Sequence, residues 1–206
     1  GTLVVDAYSG YDATLSLQGR STANCLAHAR RKFDELAKAN ASEVARQAIG
    51  RIAWLYRIEA QARPLCTGQR LQMRQEQSGP LWQELHMWLQ LERSRVPEGS
   101  AIAKAIDYSL SHWEGLSRFL LDGAVPIDNN HIENQMRPWA LGRKNWLFIG
   151  SQLAGERAAA VMSLLQSAKL HGHDPWAYLK DVLTRLPTQL NSRIEELLPH
   201  RWQRAA

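Results

Sequence analysis

From residue 42 to residue 121 the chain repeats apolar side chains at helical spacing almost without interruption. Such a stretch commits the protein to a mostly helical architecture, whatever lies on either side. Val44, Ala48, Ile52, Leu55, Tyr56 and Glu59 keep one register over 42–63, with Ser42 as N-cap and Pro64 as a stop. A further helix is expected around 70–77. Another is expected over 81–93, where Leu81, Leu85, Trp88 and Leu89 recur at i, i+4, i+7 and i+8. After the break at Pro97-Glu98-Gly99, Ser100 opens a helix through Leu121. Ile102, Ile106, Leu110, Trp113 and Leu116 form its stripe, and Asp122-Gly123 closes it. At helical spacing, Trp54, Trp82, Trp88 and Trp113 read as core. The segment 40–122 carries no evident catalytic cluster and reads as a helical insertion.

The flanks differ. Residues 2–8 read as a buried strand, Leu3-Val4-Val5, with Asp6 near its end. Ser9-Gly10-Tyr11-Asp12 reads as a turn and 13–18 as a short second strand. From Ala23 the pattern turns helical, with Leu26, Ala29, Phe33, Leu36 and Ala37 on one face. Beyond the insertion, 145–149 looks like a short strand and 157–171 a helix of small residues. Asp174-Pro175 supplies an N-cap and an N1 proline for a helix ending before Pro187. The tail 188–206 is polar and weakly helical. The fold class expected is α/β, mostly helical, divided as 1–39, 40–122, 123–187 and 188–206.

The 206 residues are 45% hydrophobic and 22% charged, ordinary for a soluble protein. No apolar run approaches the roughly 20 residues that span a bilayer, and no basic leader precedes the first strand. Two cysteines, Cys25 and Cys66, make no disulfide framework, so reduced thiols and a cytoplasmic location are expected. The net charge is +5, but between Arg20 and Arg74 there are 11 Lys/Arg against 4 Asp/Glu. That local excess fits an acidic partner such as nucleic acid; a solvated helix surface is the alternative.

The densest polar block is Ile127-Asp128-Asn129-Asn130-His131-Ile132-Glu133-Asn134-Gln135-Met136-Arg137-Pro138. A helix there sets Glu133 beside Asn129, Asn130 and Arg137, one acid among amides and a cation. Amides in such numbers are poor helix formers, which points to ligand binding. Asn130-x-x-Glu133 also reads as a capping box, and both readings stay open. Asp6, at a strand end, is either a metal ligand or a turn aspartate. Cys25-x-x-His28 is half of a zinc pattern without a second half, or a core thiol with a locally bonded histidine. Arg20 and the run Arg30-Arg31-Lys32 offer phosphate contacts, and Arg143-Lys144 beside Trp146 pairs cations with an aromatic ring.

Several of these blocks occur together and in order. Asp6-Ala7-Tyr8-Ser9-Gly10-Tyr11, Cys25 through Phe33, Ile127 through Pro138, Leu141 through Phe148, Gly155-Glu156-Arg157-Ala158-Ala159 and Asp174 through Leu179 resemble the insertion-sequence-66 family of transposases. The resemblance covers about 2–187. It implies a DDE transposase with a ribonuclease-H-like core, cut at its N-terminal side, in which Asp6 is the second catalytic aspartate and Glu133 the catalytic glutamate. Both would ligate Mg²⁺ or Mn²⁺, with His28, Asn129 and Asn130 supporting them. Arg20, Arg30, Arg31, Lys32, Arg137, Arg143 and Lys144 would contact DNA, and the resemblance is compatible with a homo-oligomer on that DNA. The first aspartate of the family lies upstream of this sequence, so the 206 residues alone are expected to be inactive. A DNA-binding remnant without catalysis is the alternative. Gln152-Leu153-Ala154-Gly155 departs from the glycine-rich, acidic turn that the family pattern has there.

Overall fold

The structure, a computed structural model, describes residues 1–6, 19–39, 42–146 and 149–203, without the side chains of Lys144 and Trp146. It divides into two compact units, Gly1–Glu133 and Asn134–Ala206.

The first unit opens with β1 (Thr2–Val5) and β2 (Ser21–Asn24), a parallel pair in register from Thr2↔Ser21 to Val5↔Asn24. β1 is shorter than its sequence suggests, and of its residues only Val5 is buried. The strand expected at 13–18 lies outside the described residues. Ala23, expected to begin a helix, is the buried centre of β2 instead.

Helix α1 (Leu26–Lys38) buries Leu26, Ala29 and Phe33 against α2 (Glu43–Ala62), which contributes Ala45, Ala48, Ile52 and Leu55. Ser42 caps α2 by accepting from the Ala45 amide at 3.2 Å. Each fully buried Leu or Phe here contributes on the order of 1.5–3 kcal/mol. Then come α3 (Thr67–Met73), a π-helical turn (Arg74–Ser78) and α4 (Gly79–Arg95). The expected single helix over 100–121 is broken at His112 into α5 (Ala101–Ser111), α6 (Trp113–Ser117) and a 3-10 turn (Arg118–Leu120). The break turns Trp113 flat against Trp82, rings 4.1 Å apart, with Phe119 edge-on to Trp82 at 5.5 Å. Trp82, Trp88 and Trp113 join the core, but Trp54 does not: it is 55% exposed.

Arg74 is fully buried, and sequence reading passed over it. It grips Glu59 through two bonds, at 2.9 and 2.6 Å, and donates to the carbonyls of Phe119, Asp122 and Val125. The guanidinium thereby fixes the loop that leads into Ile127–Asn129.

Helix α7 (Asn130–Trp146) begins in the first unit and continues into the second with Pro138 inside it. Asn145 and Trp146 are therefore helical rather than strand, and 147–148 lie outside the described residues. In the second unit α8 (Gln152–Leu170) starts on a Ser151 cap, so the departing 152–155 segment is a helical turn. α9 (Pro175–Arg185) begins as expected, Asp174 accepting from the Ala177 amide at 2.7 Å. The tail is more structured than its polarity implies. A 3-10 run (Asn191–Leu197) brings Leu197 and Trp202 against Tyr178 and Val182, and Tyr178 donates to the Leu197 carbonyl at 2.8 Å.

Candidate functional site

The N-terminal end of α1 is where the two acidic segments approach each other. The Cys25 amide donates to the carbonyl of Val5, the residue before Asp6, at 3.0 Å, extending the strand pairing by one residue. The next amide, Leu26, donates to Ile127 at 3.1 Å. The Asn129 amide in turn reaches the Cys25 sulfur at 3.4 Å. Cys25 thus ties the end of β1 to the start of the glutamate helix. It is 1% exposed, and burial pushes its thiol above the usual range, partly offset by the Asn129 amide. Of its two sequence readings, the core thiol holds. Among the described residues no group of three His, Cys, Asp or Glu side chains is placed to hold a metal.

Glu133 sits on the first turn of α7, its amide bonded to the Asn129 carbonyl at 3.0 Å. Asn130 is the first helical residue, and its amide and side chain both donate to Asp128, at 3.1 and 2.8 Å. The Glu133 side chain faces α1. His28 Nε2 lies 3.2 Å from Oε1, and Arg31 Nη2 lies 3.8 Å from Oε2. Both of these partners come from α1, beyond the neighbours that spacing along the helix of Glu133 suggests.

Asp6 is exposed at the end of β1, and its carbonyl accepts from the Tyr108 hydroxyl at 3.3 Å. Lys32 stands over the Tyr108 ring, 4.4 Å from its centroid. Burial, then the Asp6 charge, raises the Tyr108 phenol above its ordinary range. Tyr56, on α2, is likewise raised by burial and by the Asp128 carboxylate. No spacing rule links Tyr108 or Tyr56 to the acids, so sequence reading missed both.

Buried polar atoms without a protein hydrogen-bond partner concentrate here. Among the described residues they are His28 Nδ1, Asn129 Oδ1, the Tyr56 hydroxyl and Arg118 Nε. The first three belong to residues around Cys25, Asp128 and Glu133. A buried polar atom of this kind calls for a partner, since leaving it unpaired costs about 1–3 kcal/mol.

The cations separate. Consecutive residues on a helix do not face one way: Arg31 turns to Glu133, Lys32 to Tyr108 and Arg30 to an open groove against α2. Arg20 is exposed just before β2. Arg137 and Arg143 are exposed along α7 in the second unit, and the Lys144 side chain lies outside the described residues.

The family described as Transposase IS66 family matches residues 1–157, and the IS66 C-terminal element matches 163–200. The chain belongs to the IS66 transposase family. Three proteins of Sinorhizobium fredii (strain NBRC 101917 / NGR234), each named only as an uncharacterized protein, are similar along nearly the whole chain. To y4hP it is 40% identical, over 100% of this chain and 40% of the relative. To y4jD it is 40% identical, over 98% and 41%. To y4qI it is 37% identical, over 97% and 38%. The chain therefore spans about two fifths of the length of these relatives. No solved structure matches it.

Three of the segments that carry the resemblance, at the end of β1, in Cys25–Phe33 and in Ile127–Glu133, meet at the N-terminal end of α1. Among the described residues no helix is long and apolar enough to cross a membrane.

Proposed function

We propose that this chain is part of the catalytic core of a DDE transposase with a ribonuclease-H-like fold, and that Asp6 and Glu133 are two of its catalytic carboxylates. The observation that carries the reading is the Cys25 junction. One residue is bonded both to the end of the Asp6 strand and to the start of the Glu133 helix. Family membership supports the reaction class, cleavage and joining of DNA, and DNA as partner, in a bacterial cytoplasm at the nucleoid.

The donor chemistry fits a hard divalent cation. Both side chains offer carboxylate oxygens, which suit Mg²⁺ or Mn²⁺, and the Cys25 sulfur is buried and occupied by the Asn129 amide. Asp6 and Glu133 would hold it, together with the further carboxylate that the family pattern calls for. Such a metal, when bound, would stabilise negative charge on the oxygens around the phosphorus under attack. The chain's own residues supply the rest. His28 and Arg31 orient the Glu133 carboxylate, and Tyr108 fixes the backbone at Asp6. Arg31, beside Glu133, also offers a guanidinium that a DNA phosphate can meet.

The test is Mn²⁺ binding and DNA strand cleavage by the full-length protein. Asp6→Asn is expected to weaken the metal and abolish cleavage. Unchanged Mn²⁺ binding and cleavage would leave Asp6 a turn residue, and absence of cleavage by the wild-type protein would favour a DNA-binding remnant.

A further inference from the structure

Tyr56 lies on α2, in the helical stretch between the two acidic segments, yet its side chain reaches the start of the glutamate helix. It shares the wall of one open groove with Asn130, the first residue of α7, and it packs against the core that holds Ile127. Its hydroxyl is buried, and among the described residues it has no hydrogen-bond partner. A buried phenol normally finds one. The acceptor at hand is Asp128, whose charge helps to hold the phenol above its ordinary range.

Asp128 organises the first turn of α7. Its Oδ1 accepts from the Asn130 amide at 3.1 Å, and its Oδ2 from the Asn130 side chain at 2.8 Å. A carboxylate has about four lone-pair sites, so both oxygens can take a further donor. Just beyond, the amides of Ile132 and Glu133 both close on the Asn129 carbonyl at 3.0 Å. Whatever steadies Asp128 therefore steadies the turn that carries Glu133. We propose that Tyr56 is a positioning residue for Glu133: its hydroxyl donates to the Asp128 carboxylate, and α2 thereby fixes the first turn of the glutamate helix. The ring alone would serve to pack α2 against the core; the hydroxyl is what a directional contact with Asp128 needs. The effect on catalysis rests on the reading of Glu133 as a catalytic carboxylate, whereas the ordering of the turn does not.

The experiment uses Tyr56→Phe, which removes the hydroxyl and keeps the ring. In the 206-residue chain, amide hydrogen exchange at Asn130, Ile132 and Glu133 should quicken about tenfold, while the buried amides of α1 and α2 exchange as in wild type. In an Asp128→Ala background the same substitution should add nothing. In the full-length protein, Tyr56→Phe should lower kcat for DNA cleavage about tenfold or more, with KM for DNA unchanged. Unchanged exchange at the three amides would overturn the proposal. So would faster exchange throughout the first unit, or an equal effect of Tyr56→Phe with and without Asp128. A wild-type kcat in a Tyr56→Phe protein whose first turn exchanges faster would also overturn it. If the wild-type full-length protein does not cleave DNA, the catalytic reading of Glu133 falls, and the exchange measurement still decides whether Tyr56 holds the turn.

Discussion

His28 on α1 and Glu133 on α7 meet at 3.2 Å, with side chains 18% and 38% exposed. A pair this open to solvent is worth about 0–1 kcal/mol, so it orients Glu133 more than it holds the fold. His28→Ala should therefore cost under about 1 kcal/mol in urea denaturation while lowering DNA cleavage by the full-length protein. A loss of several kcal/mol with cleavage unchanged would make His28 a structural residue.

Arg74 should behave in the opposite way. Arg74→Met strands Glu59 and three loop carbonyls. Breaking a buried pair of this kind costs about 3–5 kcal/mol. Arg74→Lys should also destabilise, since an ammonium cannot fork to Glu59 and reach the loop together. A loss below about 1 kcal/mol for Arg74→Met, measured by denaturation, would contradict this.

The two thiols should differ in reactivity and in pH response. Cys25 is buried and Cys66 exposed. Iodoacetamide should label one thiol in the folded chain and both in denaturant. Because the Cys25 thiol is raised in the fold, the unfolded chain ionises first. Its contribution is full below the unfolded thiol value and declines as pH rises through about 9 toward the folded value. Tyr56, Tyr108 and Tyr178, also raised, extend the decline above about pH 10. Cys25→Ala should flatten the first part of this slope, and an unchanged slope between about pH 8.5 and 10 would contradict the assignment.

Gly123 tolerates no side chain. A Cβ there would lie 2.0 Å from the Thr67 carbonyl oxygen, a backbone atom that cannot swing aside. Gly123→Ala should cost about 1–3 kcal/mol by overpacking and loosen the same loop that Arg74 grips. A melting temperature equal to wild type would show that the loop gives way freely.

Much of this was legible in the sequence because it rests on period and caps. The α1 and α2 faces, the Ser42 and Asp174 caps and the helical run to Leu121 all follow from local chemistry. The kink at His112 was not legible, since the apolar stripe continues across it and ring stacking of Trp82 on Trp113 decides the turn. Trp54 kept helical spacing too, yet it faces solvent; period alone does not say how wide a buried stripe is. At the site, motif density found Glu133, but its partners were read along its own helix. His28 and Arg31 come from another helix, and only packing brings them there. Arg74 carried no signal at all, because a buried arginine and a surface arginine look the same in a sequence.

The most direct measurement is strand cleavage by the full-length protein carrying Glu133→Gln, alongside DNA binding by the same variant. The amide keeps the size of the side chain and is accepted in the first turn of a helix, but it removes the charge that His28, Arg31 and a metal would share. We predict that cleavage is lost while DNA affinity stays within a few-fold of wild type. Cleavage at near wild-type rate would contradict the catalytic role of Glu133 and leave it an ion-pair residue between two helices.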